Sequence, residues 1–291
     1  MTRYPAVPTW DGQAKRKLES KSFALTYRRA TRKHFDFKSE CMELAKSLAL
    51  EANGLPLYVC LSGGIDGEIV CRSFMDAGLS FIPVVFEYKK HIWEDLTHVL
   101  NFVKQHRLPL KRVVFDEVAF LKEEIFKWSD KYPISEPLVA FDMERMDRLD
   151  GAVVFGCGDI VLEPSIGGLV SYERGSLFQA QDYIADNRRV GCYHFFQGSA
   201  EIMLAFLNDP IIQKWIELQP VMSFENSRQF KSYMYKKIWP DITLRKKWTG
   251  YERFAELYLT TQKSLHQANP IEQDRYDVEL ETLLEQLVYL P

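Results

Sequence analysis

The residues of this chain best suited to chemistry run from Ser62 to Glu68, in the order Ser62, Gly63, Gly64, Ile65, Asp66, Gly67, Glu68. Two successive glycines let a backbone approach a ligand closely, and their N–H groups can point at an anion. Behind them Val70, Phe74 and Ala77 keep helical spacing until Gly78 stops the helix. The turn therefore opens onto a helix N-terminus, whose partial positive charge favours an anion. In front of it, Leu57 to Leu61 is apolar without alternation, as a strand covered on both faces of a parallel sheet must be. Strand, glycine turn, helix is a device for holding phosphate. Glycine turns also end many strands that bind nothing, so the elements around this one decide its weight.

Those elements alternate. Between Asp36 and Ala52, Cys41, Leu44, Ala45, Leu48 and Ala49 share a helical face, and Asn53-Gly54 ends it. Phe81 to Phe86 reads as a second strand whose regular part starts late because of Pro83. Ile92, Leu96, Val99, Leu100 and Val103 mark a helix ending near Arg107; Lys111 to Phe115 is a third strand. Met143 to Leu149 looks helical and leads into a fourth buried strand, Gly151 to Phe155. Strands alternating with helices imply an α/β fold, parallel strands and right-handed crossovers, with ligands bound beyond the carboxyl ends of the strands. Helical patterns follow at Ala200 to Leu207 and Ile211 to Leu218. Phe195 and Phe196 read as core rather than as a platform for stacking rings. Met1 to Gln13 is expected to be an irregular arm, and the alternating Phe23, Leu25 and Tyr27 a strand or hairpin. Glu163 to Gly175 is glycine-rich and expected to be a mobile substrate loop. Leu280, Leu283, Leu284 and Leu287 make Tyr276 to Leu290 an amphipathic helix, packed on the core or on a second subunit in a homodimer.

Bulk properties exclude several classes. The 291 residues carry 46% hydrophobic and 26% charged side chains with a net charge of −3, so no basic field points to nucleic acid or an anionic membrane. Arg28, Arg29, Arg32, Lys33 and His34 read as a solvated face. No apolar run approaches a membrane span, and the first ten residues lack the apolar core of a signal peptide. The five cysteines are widely spaced with no CxxC pair, which suits reduced thiols in a cytoplasmic protein better than a zinc or iron–sulfur site. His91, His98 and His106 share one predicted helix, and that spacing alone makes no catalytic set.

The SGGxD pattern at Ser62 to Asp66, in this setting, resembles the pyrophosphate loop of the PP-loop ATP pyrophosphatases, whose pattern is SGGxDS. Gly67 stands where the family carries a hydroxyl, and Glu68 puts a carboxylate next to it. Two further stretches resemble the synthetase domain of asparagine-synthetase-like enzymes. Gly156-Cys157-Gly158-Asp159 is similar to their GxGxDE, one residue shorter and without the adjacent glutamate. Trp239-Pro240 followed by Arg245, Lys246, Lys247, Trp248, Thr249, Gly250 and Tyr251 is similar to their proline and R-x-K-x-G-aromatic order, with one extra residue.

The resemblance implies a parallel-sheet, adenine-nucleotide alpha hydrolase-like (Rossmann-like) core with a helical C-terminal part. Residues 1–35 would be an arm or hairpin, 36–260 the ATP-binding synthetase-like domain and 261–291 a C-terminal helix. It implies ATP held by Ser62, Gly63, Gly64, Asp66 and Gly67, and magnesium held by Asp66 and Asp159, two hard oxygen ligands flanking the phosphates. Lys247, with Lys246 as its rival, and Arg245 would add charge on the phosphates during adenylation. Asp159 would otherwise be a turn residue, and the basic stretch a solvated helix end. The implied reaction adenylates a carboxylate or amide of a small-molecule substrate, releases pyrophosphate and passes the substrate to an amine or ammonia. About fifty residues precede the ATP-loop strand, too few for the family's glutaminase domain, so ammonia would come free or from a separate source. The alternatives are a PP-loop enzyme that thiolates or otherwise modifies tRNA or a base, with Cys157 as its one candidate thiol, and a nucleotide-binding protein that has lost turnover. A reductase of the adenylylsulfate type lacks its C-terminal cysteine motif here.

Overall fold

A five-stranded parallel sheet is the centre of the molecule, seen in a computed structural model that describes residues 6–10, 23–89, 96–132, 134–165, 168–218, 228–245, 254–268 and 275–290. In chain order, a hairpin of β1 (Ala6–Trp10) and β2 (Phe23–Tyr27) leads to α1 (Phe37–Ala52). Then come β3 (Leu57–Cys60), α2 (Ile65–Asp76), β4 (Ile82–Tyr88), α3 (Leu96–His106) and β5 (Lys111–Phe115). A helical stretch follows, made of α4 (Glu117–Ala119), a π-helical segment (Phe120–Glu124) and α5 (Ile125–Lys131), and then α6 (Pro137–Asp147) and β6 (Ala152–Val154). After β7 (Leu162–Ser165), β8 (Gly168–Arg174) and α7 (Gly175–Asp186) come β9 (Gly191–Cys192), α8 (Ala200–Leu207), α9 (Pro210–Leu218) and α10 (Arg228–Ile238). The chain closes with α11 (Ala255–Ala268), β10 (Arg275–Glu279) and α12 (Leu280–Leu287).

The sheet order is β5-β4-β3-β6-β9, with every neighbour parallel. Period-two alternation sends successive side chains of each strand into two separate cores. Leu57, Val59, Val85 and Val154 pack with α1, α2 and α8, while Tyr58, Val84, Phe86 and Val153 pack with α6 and the π segment. Each fully buried valine or phenylalanine contributes roughly 1.5–3 kcal/mol, which is why a run without alternation is stable only here. Pro83 is accommodated because pairing with β5 starts one residue later, at Val84 opposite Lys111.

The expected α/β fold and its four parallel strands are present, and β9 extends the sheet. Three expectations are corrected. Ala6–Trp10, read as irregular, is a strand paired antiparallel with Phe23–Tyr27. The stretch read as a mobile loop forms β7 and β8, and β10 pairs with β8 to complete a three-stranded antiparallel sheet. That takes Tyr276 to Glu279 out of the predicted terminal helix. The remaining helix, α12, buries Leu283 and Leu287 on the main core.

Gly156, at the end of β6, lies against the start of α2. A Cβ there would come 2.9 Å from both the Asp66 carbonyl carbon and the Gly67 nitrogen. Gly67 faces the other side, where a Cβ would meet the Cys60 carbonyl oxygen at 2.9 Å. The Asp66–Gly67 peptide is therefore held between two strand ends, and neither neighbour is a movable side chain. Gly156→Ala is expected to cost about 1–3 kcal/mol of stability, read from the denaturant midpoint; an unchanged midpoint would show that the contact relaxes freely.

Candidate functional site

The chain leaves β3 for β4 and β5 on one side, then returns to place β6 on the other side of β3. Strand order reverses between β3 and β6, and in open parallel sheets ligands bind at such a crevice, outside the carboxyl ends. Both glycine motifs stand there. The turn after β3 carries Ser62 to Asp66, and the turn after β6 carries Gly156 to Asp159.

Gly63 adopts φ +87°, the left-handed region that favours glycine. Gly64 is the N-cap of α2, and no side chain caps the helix. By contrast, α1 is capped by Asp36, whose Oδ1 accepts from Ser39 N at 3.0 Å. Helix α2 thus presents its first backbone donors uncapped at the crevice, which is the arrangement an anion requires. Ser62 is exposed beside them, and its Oγ accepts from Gly64 N at 3.4 Å.

Asp66 and Asp159 do converge, as expected. What joins them is a side chain outside the expected set. Lys231 Nζ lies 2.9 Å from Asp66 Oδ1 and donates to Asp159 Oδ2 at 2.7 Å. The lysine side chain is 6% exposed, against 14% and 20% for the carboxylates. Burial opposes its charge, yet the two carboxylates outweigh burial and hold its pKa above the ordinary lysine value. Tyr235, one turn further along α10, is also buried here. Burial first, then the charges of Asp66 and Asp159, push its phenol well above the ordinary range. Phe37 and Phe196 stack on Tyr235 at 5.9 and 6.1 Å, walling a recess too tight to hold a water.

These donors do not fit a divalent ion as they stand. Magnesium takes oxygen ligands in a near-octahedral shell, and one oxygen of each carboxylate, Asp66 Oδ1 and Asp159 Oδ2, is already closed around an ammonium. Among the described residues no group of three or more His, Cys, Asp or Glu side chains comes together as a metal nest.

Glu68, next to the Ser62–Asp66 turn, does not present a free charge to it. Its Oε1 accepts from Arg72 Nε and its Oε2 from Arg245, both at 2.9 Å. Arg72 continues to Asp241 in a two-pronged pair. Arg245 also donates through Nε to the Gly63 carbonyl at 2.6 Å and, more weakly, to Thr243 O. Its guanidinium thus links the Gly63 carbonyl to the Glu68 carboxylate. Lys246, Lys247 and His91 lie outside the described residues. His98 and His106 lie on α3, with His106 against Phe102 at 4.6 Å.

His194 supports the second turn. It bridges Gly156 through the backbone, and a Cβ on Gly158 (φ +80°) would meet the His194 Cβ at 2.7 Å. Its ring packs on Phe178 and Tyr193, and its Nδ1 has no partner among the described residues. Burial pushes its pKa down to about 3, with nearby Asp159 opposing. The sequence carried a signal for Lys231 but not for His194. Lys231, Met234, Tyr235 and Ile238 stand at i, i+3, i+4 and i+7, which puts a lysine on the buried stripe of a helix. Such a lysine needs a carboxylate partner.

No protein-family model matches the chain, and no curated protein matches it. Among solved structures the chain is similar to an NH3-dependent NAD synthetase from Campylobacter jejuni in complex with nitrate, at 12% identity and a TM-score of 0.35, over 80% of this chain and 93% of that one. A likeness of that size carries no argument about activity, and the functional reading rests on the residues above. No helix among the described residues is long and apolar enough to cross a membrane.

The buried His194 sets a pH dependence. Its folded pKa of about 3 lies below the ordinary 6.5, so the unfolded chain takes up the proton first as pH falls. The stability tied to the neutral ring is present above pH 6.5 and is lost progressively toward pH 3. Wild type is expected to lose up to about 1.4 kcal/mol per pH unit in that window relative to His194→Gln, measured by urea denaturation at stepped pH; parallel curves for the two proteins would refute it. Glu68→Ala leaves Arg72 and Arg245 without their shared carboxylate. A loss of about 3–5 kcal/mol is expected in the same assay, and a loss below about 1 kcal/mol would mean that the pair behaves as an exposed one.

Proposed function

We propose that the chain binds ATP at the β3–α2 turn and acts as an ATP-dependent ligase of the PP-loop type. It would adenylate a small-molecule carboxylate or amide, release pyrophosphate and pass the activated group to an amine or ammonia. One observation carries the reading. Two glycine motifs some ninety residues apart in sequence converge at the strand-order reversal, beside an uncapped helix N-terminus. The Gly63-Gly64 backbone and Ser62 would take the phosphates, and Arg245 and Glu68 would hold the turn's shape. By resemblance, Lys247 would meet charge that develops as pyrophosphate leaves. Positioning and charge complementarity would supply most of the acceleration, because such a transfer asks for little covalent chemistry from the protein.

A nucleotide-binding protein without turnover is the second reading. The closing of both carboxylates around Lys231 favours it, since one oxygen of each is then held by the ammonium rather than by an ion that would assist pyrophosphate departure.

The test is ATP binding by calorimetry together with product analysis. Wild type is expected to bind ATP in roughly the micromolar to millimolar range common for enzyme substrates and, with candidate acids and amines present, to release AMP and pyrophosphate. Lys247→Ala is expected to keep binding and lose AMP release by about 10²-fold or more. Binding without AMP under all conditions would select the second reading, and no ATP binding with or without magnesium would remove both.

A further inference from the structure

The feature the proposed chemistry leaves unexplained is Lys231. A buried ammonium costs several kcal/mol in lost hydration unless it is paired. Here it has a carboxylate from each of the two turns that flank the crevice. It comes from α10, an element separate from both strands, and its aromatic surround of Phe37, Phe196 and Tyr235 fixes its stem. An ammonium has three N–H donors. One is committed to Asp159 by a hydrogen bond, and the contact with Asp66 is an ion pair at 2.9 Å. That leaves one N–H of the three, on a side chain flanked by carboxylates that are 14% and 20% exposed.

We infer that Lys231 is the resident cation of this site: its ammonium does the neutralising work that a divalent ion would otherwise do between Asp66 and Asp159, and it contacts the phosphate of a bound nucleotide directly. The inference rests on the proposed nucleotide site for its ligand, and on geometry alone for the exclusion of a metal. Three consequences follow physically. A divalent ion cannot share the two oxygens with Nζ. Nucleotide binding is largely independent of divalent ions. Removing the ammonium while keeping its volume exposes two adjacent carboxylates, which then attract a divalent ion to relieve their repulsion.

Two probes separate the parts of this inference. The first is Mn2+ alone, without nucleotide, titrated by electron paramagnetic resonance into wild type, Asp159→Asn, Lys231→Met and Lys231→Met/Asp159→Asn. Wild type is expected to show no Mn2+ site that Asp159→Asn removes. Lys231→Met is expected to gain one such site, and the double variant to lose it. An Mn2+ site in wild type that Asp159→Asn abolishes overturns the inference, and this arm stands even where Lys231→Met fails to fold. The second probe is ATP, measured by calorimetry in EDTA and in excess Mg2+. Wild-type affinities in the two conditions are expected to agree within about threefold, while Lys231→Met falls by about tenfold or more in EDTA and recovers part of that in Mg2+. Wild-type binding that disappears in EDTA overturns the inference. ATP binding in neither condition removes the nucleotide reading and the phosphate contact with it, leaving the Mn2+ arm to decide metal exclusion separately.

Discussion

One buried ammonium between two carboxylates is the constraint around which the crevice is assembled. Asp66 sits at the start of α2, Asp159 on the turn after β6 and Lys231 on α10, so a single cluster ties together three elements remote in sequence. Without the ammonium, two carboxylates would face each other in a partly desolvated cleft, and one would have to take up a proton or move. Without the carboxylates, Lys231 would be an unpaired buried charge. The pairing is costly to form and costlier to break by halves, which gives the three elements one arrangement rather than several.

Around that cluster the backbone is packed as closely as glycine permits. Gly156 and Gly67 let the end of β6, the end of β3 and the first turn of α2 meet at van der Waals distance. Gly67 therefore has a packing explanation: a side chain there would push α2 away from the Cys60 carbonyl and widen the crevice. A second electrostatic chain, Asp241–Arg72–Glu68–Arg245, ends on the Gly63 carbonyl. It anchors the left-handed Gly63 through its carbonyl, and it pairs the Glu68 carboxylate with two guanidinium groups. The turn is thus held in one shape by its own protein contacts.

Much of this was legible in the chain. The runs Leu57 to Leu61 and Gly151 to Phe155 showed buried strands by composition, Lys111 to Phe115 showed a further strand, and the helical faces between them showed the crossovers. Asn53-Gly54 and Gly78 marked helix ends. What escaped were pairings across long separations. Leu162 to Arg174 is glycine-rich and reads as a loop, and it is a hairpin partly because Arg275–Glu279 pairs with it from the far end of the chain. Ala6–Trp10 likewise becomes a strand through its pairing with Phe23–Tyr27. Strand propensity is weak and context-dependent, so such strands are fixed by their partners more than by their own residues.

The sequence by itself determined the α/β class, the strand–turn–helix at Ser62 to Asp66 and the placement of Asp66 and Asp159 at strand ends. All of these depend on local periodicity and on the backbone freedom of glycine, properties that neighbouring residues carry with them. Tertiary structure alone decided what the two carboxylates hold, where Glu68 directs its charge and what Arg245 links. Those outcomes depend on distances between elements that share no local pattern. A charge in the interior takes its role from whichever partner the fold brings within 3 Å, and here that partner for Asp66 and Asp159 is Lys231.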